Sequence, residues 1–138
     1  MPERVYRRCR HVIAENARVV EAASALERGD FSRVGALMND SHESLRGDYD
    51  VSCVELDTMA GIARSLAGVY GARMTGGGFG GCVVALVDAA AEEGIARDVI
   101  REYQTVTGLT PDVWATRAGR GVEGRCSQDS HPRVEAQL

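Results

Sequence analysis

Apolar positions recur every three or four residues through the first half of the chain and then give way to consecutive apolar runs. That change of period separates a helical part from a part that contains strands. Over residues 3–28, Val5, Cys9, Val12, Ile13, Val20, Ala23 and Leu26 fall at helical spacing among arginines and glutamates. The pattern predicts an amphipathic helix with those side chains turned inward and Gly29 at its end. Asp30 stands where an N-cap is needed for a second helix, with Phe31, Val34, Leu37, Met38 and Leu45 as its stripe. That helix runs out at Gly47, Asp48, Tyr49 and Asp50. Ser52-Cys53-Val54-Glu55 fits a capping box for a third helix, which buries Leu56, Met59, Ala60, Ala63 and Leu66.

Beyond it, Val69 to Thr75 reads as a strand and Cys82 to Val87 as a second, buried one. Asp88 is placed to cap a further helix, with Ile95, Val99, Ile100, Tyr103 and Val106 inward and Gly108 ending it. Val113-Trp114-Ala115-Thr116, after Pro111, reads as a third strand. Residues 1–117 are thus expected to form the folded unit, and the polar stretch 118–138 to lack fixed structure. This order predicts an α+β fold with helices layered on one face of an antiparallel sheet. Three strands make a thin sheet, which either a missing upstream edge partner or a small self-contained fold would explain.

Composition narrows the function classes. A chain of 138 residues that is 44% apolar can build one compact core. The longest apolar run, Cys82 to Val87, is far short of a membrane span, and Met1-Pro2-Glu3-Arg4 does not open a secretory signal. Cys9, Cys53, Cys82 and Cys126 form no C-x-x-C pair, so neither a zinc site nor a disulfide framework is expected, and they read as reduced cytoplasmic thiols. A net charge of -4 offers no general attraction to nucleic acid or to an anionic membrane. All sixteen basic residues are arginines, and lysine is absent.

The densest candidate chemistry is the run Gly76, Gly77, Gly78, Phe79, Gly80 and Gly81. Glycines let a backbone take positive φ and approach a ligand, and successive N–H groups in such a turn can converge on an anion. The plain alternative is a flexible turn between two strands, and the glycines alone leave both readings open. Gly76, Gly78 and Gly81 fit G-x-G-x-x-G, but a dinucleotide loop opens into a helix and a strand comes next here. The protein-kinase form and the Walker A loop both require a lysine that this chain lacks.

Other candidates fare less well. Asp40-Ser41-His42 cannot act as a relay, because neighbours on a helix point in different directions. His42 is expected to bond locally or to pack at a domain interface, and His11 to be solvated among arginines. His131 lies in the tail. Glu43, Asp48, Asp50, Glu55 and Asp57 could gather round a metal, yet they read better as turn, cap and surface residues. Arg4, Arg7, Arg8 and Arg10 make a small basic start without interleaved aromatics, a weak nucleic-acid signal. Arg73 invites a phosphate role but, inside a strand, reads as an ion-pair or packing residue.

The stretch from Gly68 through Val69-Tyr70-Gly71-Ala72-Arg73-Met74-Thr75 and the glycine run to Cys82 resembles the third conserved motif of galactokinases, in the GHMP small-molecule kinase family. Upstream, Leu37-Met38-Asn39-Asp40-Ser41-His42-Glu43-Ser44-Leu45-Arg46-Gly47-Asp48-Tyr49-Asp50-Val51-Ser52-Cys53-Val54-Glu55-Leu56-Asp57 resembles the helix and turn that precede that motif. The similarity runs from about Arg8 to Arg117, with Val54 standing where galactokinases commonly have proline. The resemblance implies the C-terminal, ferredoxin-like part of an enzyme that moves the ATP γ-phosphoryl group to the anomeric hydroxyl of galactose. It places Gly76, Gly77, Gly78, Phe79, Gly80 and Gly81 near the phosphates, and leaves ATP and Mg2+ mainly to an N-terminal half. The catalytic aspartate and arginine, the galactose-recognition motif and the Ser-rich phosphate motif of that half have no counterpart here. The chain is therefore expected to hold no catalytic residue and to be inactive alone, with an apolar face available for self-association or for pairing with an N-terminal half. Two alternatives stay open: a non-catalytic binding or regulatory module of the same fold, and a GHMP kinase for another sugar.

Overall fold

The computed structural model describes residues 1–119. Helix α1 (Glu3–Glu27) is followed by α2 (Phe31–Ser44), a π-helical turn (Leu45–Tyr49), α3 (Val54–Ser65), β1 (Val69–Thr75), β2 (Cys82–Val87) and α4 (Glu92–Thr107). The strands pair antiparallel, with Thr75 opposite Cys82 and Met74 opposite Val83, and the register slips at Tyr70. The expected α+β arrangement is present, with four α-helices and a two-stranded sheet among the described residues.

The third strand is a correction. Val113 to Thr116 is irregular and exposed, and Trp114 stands open to solvent. Apolar and β-branched residues favour a strand only when a neighbouring edge can take up their backbone hydrogen bonds. The β1 edge away from β2 is closed to any such partner. Ala72 donates its N–H to Asn39 Oδ1 (3.0 Å), and its carbonyl accepts from Arg64 Nε and Nη2 (3.0 and 2.9 Å). Met74, two residues on, donates its N–H to His42 Nδ1 (3.1 Å). Side chains of α2 and α3 thus do the work of a ladder. The polar tail at 118–138 lies almost wholly outside the described residues.

Helix starts agree with the sequence in part. Asp30 caps α2 as expected, accepting the Arg33 N–H at 3.0 Å. The capping box at Ser52 does not form: Cys53 is the extended N-cap residue, and Ser52 Oγ donates to Asp57 Oδ1 instead (2.6 Å). Asp88 accepts from Ala90 N–H, two residues on, and α4 begins only at Glu92. A short Asx turn has won over the cap there.

The largest correction concerns α1. Its expected core stripe faces outward: Val5, Val12, Ile13, Val20 and Leu26 are all exposed, Ile13 and Val20 at 72%. The buried positions are His11 and Ala25, on the opposite side, against α2 and the π-helical turn. Two apolar clusters lie under the sheet instead. One joins Ala63, Ala72, Ile95 and Val99 between α3, β1 and α4; the other joins Val51, Leu56 and Met74 beside the glycine run. Among the described residues no helix is long and apolar enough to cross a membrane.

Candidate functional site

The six residues between β1 and β2 form a loop whose backbone only glycine tolerates at most positions. Positive φ occurs at Gly76 (85°), Gly78 (86°), Gly80 (132°) and Gly81 (106°), and also at Phe79 (60°), the one non-glycine residue there. Asparagine and aspartate visit this region readily, whereas a bulky aromatic does so at a cost of about 1 kcal/mol or more. The Phe79 conformation is held by a hydrogen bond from its N–H to Val51 carbonyl oxygen at 2.8 Å. Gly78 presses on the same residue, so close that a Cβ on it would stand 2.2 Å from Val51 carbonyl oxygen.

The rest of the loop is unconfined. A Cβ on Gly76, Gly77, Gly80 or Gly81 would meet nothing within 4 Å, and the Phe79 ring projects into solvent. One side of the loop is thus latched to Val51, while the other offers bare backbone to whatever approaches. Val51 is itself positioned by the π-helical turn, since its N–H bonds to Leu45 carbonyl oxygen across the widened turn and Asp50 reverses the chain at φ 64°.

His42 ties the β1 root of the loop to the segment that carries Val51. Its side chain is buried; Nδ1 accepts the Met74 N–H, and Nε2 faces Asp57 Oδ1 at 3.1 Å. Because Nδ1 accepts, the proton of the neutral ring sits on Nε2 and is donated to Asp57. Asp57 also receives Ser52 Oγ–H. Met74 precedes the last residue of β1 and Ser52 comes directly after Val51, so one chain of hydrogen bonds fixes both ends of the latch. Burial, and then the nearby charge of Arg64, hold the His42 pKa below its ordinary value despite the opposing charge of Asp57.

A second network secures α1. His11 Nδ1 meets Ser44 Oγ at 2.9 Å, Ser44 donates to Asp48, and Asp48 pairs with Arg10. His11 is thus buried rather than solvated, a correction to the sequence expectation, and burial lowers its pKa. Only the identity of the helix lying across this face decides the matter, and periodicity carries no such information. The Arg10 hydrogen bond holds Asp48 below the usual carboxylate range. Glu15 accepts from Ser41 (2.6 Å) and pairs with Arg18 and Arg73. Burial pushes the Glu15 pKa up, but these partners outweigh it and bring it down. Arg73 is therefore the ion-pair residue its place in a strand suggested, joining β1 to α1 at 3.1 Å.

The acidic residues singled out in the sequence are dispersed. Glu43 pairs with Arg46 and Arg64, Asp48 with Arg10, and Asp57 with His42. No group of three or more His, Cys, Asp or Glu side chains among the described residues could hold a metal ion. Cys9, Cys53 and Cys82 are free thiols. The residues that sequence reasoning missed as supports are Val51, Asn39 and Arg64. Their signal is weak, since each acts through its reach to a backbone group distant in sequence.

Two helices and a widened turn thus brace a glycine-rich loop between paired strands in an α+β domain. Residues 22–105 match the family described as GHMP kinases C terminal, and the chain belongs to that family. It is 45% identical over 133 residues to the galactokinase of Roseiflexus sp. (strain RS-1), covering 96% of this chain and 34% of that enzyme. The crystal structure of Lactococcus lactis galactokinase complexed with galactose superimposes with a TM-score of 0.75 at 43% identity, over 79% of this chain and 28% of the other. L. major mevalonate kinase in complex with R-mevalonate is more distant: TM-score 0.52, 35% identity, 66% of this chain and 26% of that one. The chain spans about a third of the length of the galactokinase it matches.

Proposed function

We propose that this chain is the C-terminal part of a galactokinase, in which residues 1–117 form the domain that completes the phosphate site. The observation that carries this reading is the 45% identity to a galactokinase along nearly the whole chain. The complete enzyme transfers the γ-phosphoryl group of ATP to the anomeric hydroxyl of galactose. Such chemistry asks the protein mainly to position groups and stabilise charge. Gly76, Gly77, Gly78, Phe79, Gly80 and Gly81 face the phosphates. The open side of the loop suits that task, because unhindered backbone N–H groups can come within hydrogen-bond reach of an anion. The latch to Val51 holds the loop in shape before the ligand arrives, which lowers the cost of ordering it.

ATP supplies the phosphoryl group and is gripped mainly by the rest of the enzyme. Mg2+, which accompanies the phosphates in such chemistry, is likewise held mainly by the rest of the enzyme. The chain contains no catalytic residue and has no kinase activity alone. Its partners are galactose and ATP in the complete enzyme, not nucleic acid or membrane, and its place is the cytoplasm.

The test is ADP release from ATP with galactose. It uses a fusion in which this chain replaces the matching C-terminal third of the Roseiflexus enzyme. The fusion is expected to turn over galactose and the chain alone to be silent. Galactose turnover by the chain alone, or a folded fusion silent toward galactose, overturns the reading.

A further inference from the structure

The outward face of α1 is organised as a seam. Val5, Val12, Val19 and Leu26 recur at seven-residue intervals, and Cys9, Asn16 and Ala23 interleave with them in strict alternation of four and three. All seven are exposed. Ile13 and Val20 widen the stripe on one side. A 4-3 repeat sustained over three heptads and apolar at every position but Asn16 is the pattern by which one helix packs along another. A solvated face has no reason to keep it, and an apolar stripe of this length left open is rare on a free monomer.

We infer that the α1 seam receives an amphipathic helix from the upstream part of the same kinase. The inference rests on the reading of the chain as the last third of a galactokinase. Two observations select this occupant. Two thirds of the matched galactokinase lies outside the region of similarity and must pack against something. The family match begins at residue 22, so most of α1 lies ahead of the domain shared across the family, while the galactokinase similarity takes in 96% of the chain and so includes it.

The seam also states what the partner carries. Cys9, Asn16 and Ala23 are small or polar, so the facing helix must supply large aliphatic side chains to fill the space, and one polar group opposite Asn16. Near the N-terminal end, Arg4 and Arg8 have no carboxylate partner among the described residues, and the Arg8 guanidinium carbon lies over the Tyr49 ring, 5.8 Å from its centroid. The partner helix is therefore acidic along that flank.

Cys9 makes the seam its own reporter. Its alkylation rate, read by mass spectrometry, is compared in the chain alone and in the fusion with the upstream two thirds of the Roseiflexus enzyme. At least a tenfold slowing in the fusion is expected. The double variant Val12→Glu, Val19→Glu is expected to leave the helicity of the chain alone unchanged, and to restore fast Cys9 alkylation in the fusion. Equal rates in both proteins overturn the proposal, as does a fusion that stays insoluble while the Roseiflexus enzyme is soluble. Slowing in the chain alone that grows with its concentration makes the occupant a second copy, and overturns it too. An active fusion with fast Cys9 rejects the seam and keeps the galactokinase reading. A folded, inactive fusion with slow Cys9 does the reverse.

Discussion

Gly35 of α2 and Gly71 of β1 meet backbone to backbone: a Cβ on Gly71 would stand 2.1 Å from Gly35 carbonyl oxygen, and one on Gly35 2.0 Å from Tyr70 carbonyl oxygen. No rotamer change relieves such a clash, since the obstructing atoms belong to the main chain. Gly71→Ala is expected to destabilise the chain by about 3 kcal/mol or more, the upper end of overpacking effects. Urea unfolding of the variant measures it. A loss below about 1 kcal/mol would mean that α2 and β1 separate more easily than this contact implies.

The same reasoning divides the glycine loop. Gly78→Ala forces a Cβ onto Val51 at a φ that only glycine accepts readily, whereas Gly77→Ala meets open space at ordinary φ. Gly78→Ala should cost about 2 kcal/mol or more and release the loop from Val51. Gly77→Ala should change stability by less than about 0.5 kcal/mol. Paired urea midpoints separate the two, and equal effects would contradict the latch.

Acid should weaken the fold in two stages. The pKa values of His42 and His11 are lowered, first of all by burial. Above the ordinary imidazole value of about 6.5 both rings are neutral whether folded or not, so stability is flat there. As pH falls below it, the unfolded chain takes up protons that the buried rings refuse, and stability declines. Asp48 and Glu15 have lowered pKa values, so their contribution is present above about pH 4 and is lost below it. The urea midpoint is expected to drop between pH 7 and 5.5, and again below pH 4. A flat profile from pH 7 to 5.5 would show that neither ring resists protonation.

His42→Ala removes the acceptor of Met74 N–H and the donor to Asp57, and leaves a void at a fully buried site. Those combined effects are expected to cost about 2–4 kcal/mol. Thermal unfolding of the variant measures it, and a near-neutral result would place the support of the loop elsewhere.

Val54 is the first residue of α3, exposed, and its predecessor Cys53 is extended at φ -141°, ψ 170°. Those are the conditions under which proline is accepted at a helix start. Val54→Pro is expected to stabilise by about 0.4–1 kcal/mol by restricting the unfolded chain. A rise of a few degrees in Tm by calorimetry would confirm it; a fall would show that the α3 entrance is shaped differently.

How legible this was varies element by element, for physical reasons. The helices α2, α3 and α4 and both strands are readable from apolar period, and Asp30 and Gly29 mark the first turn between helices. Helix α1 is legible as a helix but not in its orientation. Its seam faces solvent, and its buried side carries His11, Glu15 and Arg18, which bury by pairing with each other and with groups distant in sequence. Val113 to Thr116 has strand composition but pairs with neither strand, and composition does not tell which edge a segment will meet. The glycine run is visible at once, but its hold on Val51 is not. That contact links residues 28 positions apart through a backbone oxygen, which no side-chain pattern encodes.

The π-helical turn at Leu45–Tyr49 holds one residue more than an α-turn would. Each residue added to a helix rotates the succeeding chain by about 100°, so this extra one sets the bearing on which the chain leaves α2. Val51 reaches the glycine loop because of that offset. Loop and turn are therefore geared to each other across a gap in sequence. Shortening the turn by one residue would swing Val51 away and leave the loop without its stop, although every glycine in it remained.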